Sequence, residues 1–217
     1  MTIIEATTTD RRAQRREEKL ARILAEAWLL AQRDGLAVIS LRELADRVDL
    51  RQPSLYAYFD SKLALYDALF ADGYRQLLDE VRARPAKKQP QRALVDFVRM
   101  MVQFATEDIV RFQLLFQRTI PGFEPSPASY ALALEFIQIT GDLLAAAGVV
   151  GTENLDMFSA LVAGLCDQQV ANDPGGDRWV RLASPAVAMF LADVDRLDAT
   201  SPKPAPKPRQ PATEKQR

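Results

Sequence analysis

The chain has no histidine and a single cysteine, Cys166, among its 217 residues. Without histidine there is no imidazole base and no Cys/His metal set, and a lone cysteine cannot form an internal disulfide. A catalytic base would have to come from a carboxylate pair, such as Asp108 with Glu135 or Asp167 with Asp173, and neither pair has the spacing of a catalytic motif. We therefore expect neither an enzyme nor a bound cofactor.

Long apolar runs are also missing. No stretch of about eighteen apolar residues occurs, so no membrane span is expected. The N-terminus places an acid and then arginines where a secretory signal would need an apolar core, so export is not expected and a cytoplasmic location is. A content of 48% hydrophobic and 26% charged residues is that of an ordinary globular protein.

The most informative pattern lies between Ser40 and Asp60, in SLRELADRVDLRQPSLYAYFD. A short helix is predicted to open at Ser40, because apolar residues then recur at the spacing of one helix face: Leu41, Leu44, Ala45 and Val48. A second short helix is predicted near Gln52, since Pro53 fits a first turn, where its missing N–H is not needed. Two helices joined by about three residues form a helix-turn-helix.

The second of these helices divides its faces. Leu55 and Phe59 lie four residues apart and are predicted to pack on the first helix. The other positions carry hydrogen-bond donors that suit phosphate oxygens and base edges: Arg51, Gln52, Ser54, Tyr56 and Tyr58.

With Ala45 in the first helix and QPSLYxYF followed by Lys62, the segment resembles the DNA-binding motif of TetR (tetracycline repressor)-type transcriptional regulators. The resemblance covers about residues 16–76 strongly and the remainder only by layout. The family usually has glycine where this chain has Asp49, and commonly a larger residue where it has Ala57. Aspartate tolerates left-handed backbone better than most residues, so the turn is expected to form.

The resemblance implies a ligand-responsive repressor that binds a palindromic operator in double-stranded DNA as a homodimer. Bases would be read by Arg51, Gln52, Ser54 and Tyr56. Phosphates would be contacted by Arg11, Arg12, Arg15, Arg16, Ser40, Tyr58 and Lys62. Because the net charge is −1, DNA binding would depend on such local clusters and not on a basic domain.

The rest of the chain shows helical patterns and no alternation long enough for a strand, so we predict an all-α fold of about nine helices. The first helix is predicted over about residues 15–33, and the last over about 177–197 with a kink at Pro185. Thr152 is a predicted N-cap. The predicted organisation is a disordered arm at 1–14, a three-helix DNA-binding domain at 15–76 (motif about 41–60), a helical ligand-binding and dimerisation domain at 77–197, and a disordered tail at 198–217.

Two apolar sets in the second domain are candidates for function, with plain core packing as the alternative for each. A pocket for an apolar or weakly polar effector would be lined by Met101, Phe104, Phe112, Phe116, Phe123, Tyr130 and Phe136. By resemblance, the last two long helices would form the dimer interface through Phe158, Leu161, Leu165, Trp179, Leu182, Met189 and Phe190.

Two other functions stay open at this point: a helical interaction module that has lost DNA binding, and a histidine-free helical enzyme. Salt dependence separates the first from a regulator, because DNA affinity that comes from phosphate contacts falls steeply as salt rises.

Overall fold

The computed structural model describes residues 3–84 and 89–200. This part of the chain is all helical, with nine α-helices and no strand, which confirms the predicted fold class. The helices are α1 (Ile3–Asp34), α2 (Leu41–Arg47), α3 (Gln52–Leu55), α4 (Lys62–Arg82), α5 (Pro90–Glu107), α6 (Ile109–Phe116), α7 (Pro127–Ala146), α8 (Thr152–Asn172) and α9 (Ala183–Thr200). Two 3-10 turns lie at Leu36–Val38 and Val180–Leu182. Among these helices none has the length and apolar character to cross a membrane.

The first three helices share one small core. Ile23 and Ala27 of α1 are fully buried, as are Leu44 and Ala45 of α2. Leu55, at the end of α3, is 2% exposed and closes this core from the other side. Since α3 has only four residues, its position depends on this packing and on its neighbours more than on its own helical hydrogen bonds.

Local signals start α2, α3 and α4. The Ser40 hydroxyl accepts a hydrogen bond from the Glu43 amide at 3.3 Å and caps α2. The Ser61 hydroxyl does the same for α4, with the Ala64 amide at 3.1 Å. Pro53 lies in the first turn of α3, as predicted.

The predicted start of the first helix, at about Arg15, is wrong. The helix begins at Ile3, so most of the segment predicted to be a disordered arm is helical. No glycine or proline occurs between Ile3 and Asp34, and a threonine inside a helix costs only about 0.7 kcal/mol or less. Nothing in that stretch therefore stops a helix that the core has already nucleated.

Parts of the predicted organisation lie outside the described residues, namely 1–2 of the predicted arm, 85–88 of the predicted second domain and 201–217 of the predicted tail. The tail was predicted from residue 198, but α9 continues to Thr200.

Two predictions about helix ends are wrong. The N-cap of α8 is Gly151, with φ 100°, and Thr152 is the first helical residue. The last helix does not run from residue 177 through a kink at Pro185. Instead a 3-10 turn precedes α9, which begins at Ala183. Pro185 thus falls in a first turn, where a missing N–H breaks no helical bond.

In the second part of the fold, α5 packs against α6, α7, α8 and α9, while α4 packs against α1, α6 and α7. The helix α4 therefore belongs to both halves of the molecule. A change at its contacts with α6 or α7 acts on the helix that follows the helix-turn-helix directly.

Candidate DNA-binding surface and cavity

Four exposed polar residues lie on and beside α3 and are called here the α3 surface: Arg51, Gln52, Ser54 and Tyr56. The Tyr56 side chain is 44% exposed. No hydrogen bond or ion pair joins these four side chains to any group in the described part of the chain. The structure thus places all four where a partner could reach them, while Leu55 and Phe59 are buried as predicted.

The turn between α2 and α3 adopts the left-handed conformation expected of it. Asp49 has φ 55° and is the one non-glycine residue with positive φ in the described ranges. The Leu50 amide donates to the Ala45 carbonyl at 2.9 Å across this turn. The aspartate that replaces the usual glycine is therefore accommodated, as predicted.

Helix α1 supplies cations to the end of α2. The Lys19 ammonium donates to the Val48 carbonyl, and the Arg22 guanidinium lies 2.8 Å from Asp49 Oδ2. The last carbonyls of a helix lack partners and form its negative pole, so positive side chains stabilise this end. These contacts fix the turn that sets the direction of α3.

Four exposed arginines form a stripe along the first half of α1: Arg11, Arg12, Arg15 and Arg16. The pairs 11 and 15, and 12 and 16, are each four residues apart, so all four lie toward one side of the helix. Arg16 donates to the Ala57 carbonyl at 3.3 Å, and its guanidinium lies 5.2 Å from the centre of the Tyr58 ring. The stripe is therefore continuous with the segment that follows α3.

The other predicted phosphate contacts have partners within the chain. The half-buried Lys62 donates to the Ala37 carbonyl at 2.7 Å and lies 5.8 Å from the Tyr66 ring. An ammonium has three donors, so this bond leaves others free.

The sequence did not single out Arg42, which is exposed in the first turn of α2 and unbonded within the described residues. A basic residue two positions after the capping Ser40 was the available signal.

A chain of polar contacts, called here the junction, connects α1 to α6 across α4. The Trp28 indole N–H donates to Asp72 Oδ2 at 2.8 Å, and the Gln76 amide donates to the same oxygen at 2.7 Å. The Arg111 guanidinium donates to Gln76 Oε1 at 2.6 Å and lies 4.0 Å from the centre of the Phe104 ring. Trp28 is 7% exposed, so it is a core residue whose N–H also anchors this chain of contacts.

Gly73 of α4 lies against helix α6. A methyl group at this position would lie 3.1 Å from Leu115 Cδ2 and 3.4 Å from Arg111 Cγ. Real side chains rarely pack at the shorter of these distances, so the glycine lets the two helices lie in direct contact.

A cavity of about 300 Å³ opens between α4, α6, α7 and the loop after α6. Its lining residues are Phe70, Tyr74, Leu114, Leu115, Phe116, Gln117, Arg118, Thr119, Ile120, Phe123, Pro125, Tyr130, Ala133 and Ile137. Burial raises the pKa of the Tyr74 phenol well above its usual value, with a smaller contribution from Tyr130. On the α4 side the cavity is lined by the buried rings of Phe70 and Tyr74.

The cavity includes three of the seven predicted pocket residues, namely Phe116, Phe123 and Tyr130. Phe136 lies behind its wall, with its ring centre 6.0 Å from that of Phe116. The other three, Met101, Phe104 and Phe112, do not line it and are core residues at most 3% exposed. For these three the plain core alternative is the one that the structure supports.

A second apolar recess runs along the outer faces of α8 and α9. It is about 750 Å³ and is lined by Met157, Ala160, Leu161, Met189, Phe190, Ala192, Asp193 and Arg196. Met157 and Met189 are 62% and 65% exposed. Large apolar side chains so exposed on adjacent helices are typical of a protein interface.

Of the predicted interface residues, Leu161, Met189 and Phe190 line this recess, while Leu182 is exposed and Trp179 half-buried. The prediction is wrong for Phe158 and Leu165, because these side chains face the core of the same chain. Phe158 is fully buried with its ring 5.3 Å from Phe190, and Leu165 is 7% exposed. The sequence missed the neighbouring Met157.

Cys166 is buried, and burial raises the pKa of its thiol to about 12, with a smaller contribution from the charge of Asp167. A thiol with so high a pKa is unreactive near neutral pH, so its role is packing. Within the described residues no cluster of three or more cysteine or acidic side chains could hold a metal ion.

Comparison with known proteins identifies the type of the helix-turn-helix segment. Residues 23–69 match the family model described as bacterial regulatory proteins, tetR family. The HTH-type transcriptional repressor KstR of Rhodococcus jostii (strain RHA1) is 24% identical over 156 residues, which span 72% of this chain and 71% of KstR.

Solved structures show the same fold. The fatty acid degradation regulator FadR from Bacillus halodurans has a TM-score of 0.63 at 16% identity, over 80% of this chain and 94% of FadR. The TetR family transcriptional regulator PfmR from Thermus thermophilus has a TM-score of 0.57 at 21% identity, over 79% of this chain and 97% of PfmR. The matched segment 23–69 contains the helix-turn-helix and the α3 surface. Residues 23–69 therefore form a helix-turn-helix unit of the tetR type, and the described chain as a whole has the same all-helical fold as these two structures.

Proposed function

We propose that the protein is a repressor that binds a two-fold symmetric operator as a homodimer and releases it when a small molecule fills the cavity beside α4. The observation that carries the proposal is the α3 surface, whose four polar side chains point outward and are unbonded within the described residues. Similarity to KstR, a protein named as a repressor, supports the direction of regulation.

The α3 surface suits base reading in a major groove. Arginine can bond to guanine through two donors, and glutamine to adenine in the same way. Ser54 and Tyr56 add hydroxyls beside them. Phosphate contacts from Ser40, Arg42, Tyr58, Lys62 and the arginine stripe would fix the orientation of α3 without reading sequence.

The recess on α8 and α9 supports dimerisation, and its occupant would be a second copy of this chain. Its lining is apolar apart from Asp193 and Arg196 at one end. Helix α8 also has exposed small residues, Ala160, Ala163 and Gly164, which would let a helix of the second copy come close. Two copies would then place their α3 surfaces in successive major grooves about 34 to 36 Å apart.

Control by a ligand follows from the position of α4. Phe70 and Tyr74 of α4 line the cavity, and Ser61 and Lys62 at the start of the same helix adjoin the helix-turn-helix. A ligand that shifts α4 changes the separation of the two α3 surfaces in a dimer. It weakens DNA binding only to the extent that it prefers the shifted state.

The operator is found by selecting bound fragments from random duplex DNA with the full chain. We expect an enriched palindrome whose half-sites are about one helical turn, or 10 to 10.5 base pairs, apart centre to centre or at a multiple of this. No enrichment at low salt would contradict the proposal and favour an interaction module.

The reading surface is tested with the double variant Arg51→Ala, Tyr56→Ala on the selected duplex. We expect affinity to fall by about thirtyfold or more, since two base contacts at roughly 1 to 3 kcal/mol each together contribute at least about 2 kcal/mol. Arg92→Ala, which removes an exposed arginine from α5, is the matched control and should bind like the parent. Unchanged affinity in the double variant would refute the proposed readout.

The dimer face is tested with Met189→Asp. Because this side chain is 65% exposed in the single chain, the substitution should leave folding intact while placing a charge in the proposed interface. Sedimentation velocity should show a dimer for the parent and a monomer for the variant. A variant that remains fully dimeric would place the interface elsewhere.

A further inference from the structure

The cavity beside α4 has an asymmetric distribution of charge. Arg118 is the one residue of its lining that is ionised at neutral pH, and none of the fourteen lining residues within the described part carries a carboxylate. The other lining residues are apolar, aromatic or neutral polar. A bound molecule therefore meets mostly apolar and aromatic side chains, a few neutral polar groups and a single positive group.

The Arg118 guanidinium is free to take a ligand. It is exposed and makes no hydrogen bond or ion pair with any group in the described part of the chain. Its neighbour Gln117 is committed, because its amide donates to Asp167 Oδ1 at 2.8 Å. Tyr74 is committed as well, with its hydroxyl 3.4 Å from the Leu115 carbonyl. Arg118 is thus the strongest uncommitted donor in the cavity lining.

A guanidinium binds a carboxylate through two parallel hydrogen bonds, which an alcohol or an amine cannot form. The volume of about 300 Å³ holds roughly ten non-hydrogen atoms at about 30 Å³ each. We propose that the effector is a monoanionic amphiphile, an aliphatic or arylaliphatic carboxylic acid of about this size, whose apolar body fills the cavity and whose carboxylate pairs with Arg118. This inference rests on the proposed function, in which the cavity is the effector site.

One acidic residue opposes this pairing. Arg118 also lines a shallow recess that adjoins the cavity, together with Glu124, Leu63 and Phe123 among others. Within the described residues Arg118 and Glu124 form no ion pair, yet the negative charge of Glu124 in that recess competes with the ligand for Arg118. Removing that charge should strengthen binding of an anion and leave a neutral molecule unaffected.

The probes are octanoate, 1-octanol and octylamine, which share one chain length and differ in the head group. Titration calorimetry on the full-length protein should show octanoate binding at least tenfold more tightly than 1-octanol, with octylamine weakest. Arg118→Gln should remove the preference for octanoate over 1-octanol and leave 1-octanol binding within about twofold of the parent. Equal binding of octanoate and 1-octanol by the parent, or a preference that survives in Arg118→Gln, would overturn the inference.

Two further variants locate the bound molecule. Glu124→Gln should tighten octanoate binding severalfold without affecting 1-octanol. Ala133→Leu, which adds bulk at a buried residue of the lining, should weaken both octanoate and 1-octanol. If Ala133→Leu weakened neither, the ligand would lie outside this cavity and the inference would be wrong.

DNA binding separates this inference from the proposed function. Retention of the selected operator by the unliganded protein, together with no binding of octanoate, would overturn the carboxylate assignment alone. If the unliganded protein bound neither the operator nor octanoate, the proposed function would be overturned as well. If the proposed function and the carboxylate assignment are both correct, octanoate should bind the parent and release it from the operator. Octanoate should have neither effect on Arg118→Gln.

Discussion

The α3 surface and the junction differ in whether their polar side chains are hydrogen-bonded within the protein. Arg51, Gln52 and Tyr56 point outward and are unbonded within the described residues, whereas Trp28 and Asp72 are bonded to each other across two helices. An exposed donor is satisfied by water and loses little when a phosphate or base replaces that water. A buried donor must find its partner inside the protein.

This difference separates recognition from stability. Substitution in the α3 surface should change what the protein binds and leave the fold unaffected. Substitution in the junction should change how firmly α1 is held against α4 and α6, and through α4 the position of the helix-turn-helix. The two regions can therefore be probed independently.

The largest expected difference comes from removing one aromatic ring in each region. Trp28→Ala should lower the free energy of unfolding by about 3 to 5 kcal/mol, because it empties a buried site and leaves Asp72 without a donor. Tyr56→Ala, at a side chain 44% exposed, should change it by less than about 0.5 kcal/mol. Urea unfolding followed by circular dichroism measures both. Similar losses for the two variants would remove the distinction between the regions.

The arginine stripe extends the comparison to electrostatics. Replacing Arg11, Arg12 and Arg15 with alanine leaves Arg16 and its contact with Ala57 in place. The slope of log affinity against log salt should become less steep by up to about 2.7, or 0.9 for each lost phosphate contact, with no change in the preferred sequence. Fluorescence anisotropy on the selected duplex at several salt concentrations gives the slope. An unchanged slope would exclude the stripe from the DNA contact.

Breaking the junction at its centre should have an intermediate effect. Asp72→Ala leaves both the Trp28 and the Gln76 N–H groups without their acceptor, and should lower the free energy of unfolding by about 1 to 2 kcal/mol. Asp72→Asn keeps an acceptor oxygen and should lose less. If the alanine and asparagine variants were equally stable in urea, the two hydrogen bonds would contribute nothing measurable.

The helix-turn-helix could be predicted from sequence because its signals are local. Ser40 and Ser61 cap the helices that follow them, and Pro53 lies in a first turn. Each of these residues acts on backbone groups within about four positions of itself. The first helix was predicted too short because residues 1–14 were predicted to be a disordered arm, although they contain no glycine or proline that would interrupt a helix.

The functional surfaces of the second domain were harder to predict. Met157 and Phe158 are adjacent apolar residues of α8, yet the first is 62% exposed and the second fully buried. Helix α8 has apolar residues on both faces, so its pattern does not tell a core face from an interface. The cavity poses the same problem, since Phe112 and Phe116 lie on one helix and only Phe116 lines it. A cavity is a gap between packed helices, and the apolar pattern of a sequence does not show where such gaps form.

The smallest expected effect concerns Asp49, at the turn that the sequence did predict. At φ 55° a glycine relieves backbone strain but gains more freedom in the unfolded chain, and the exposed pair with Arg22 contributes little. The free energy of unfolding of Asp49→Gly, measured in urea, should therefore stay within about 0.5 kcal/mol of that of the parent. Asp49→Val should lose about 1 to 2 kcal/mol or more, because a β-branched side chain clashes with the backbone in the left-handed region. A valine variant as stable as the parent would mean that the turn has another conformation, and the orientation of the α3 surface would then have to be different as well.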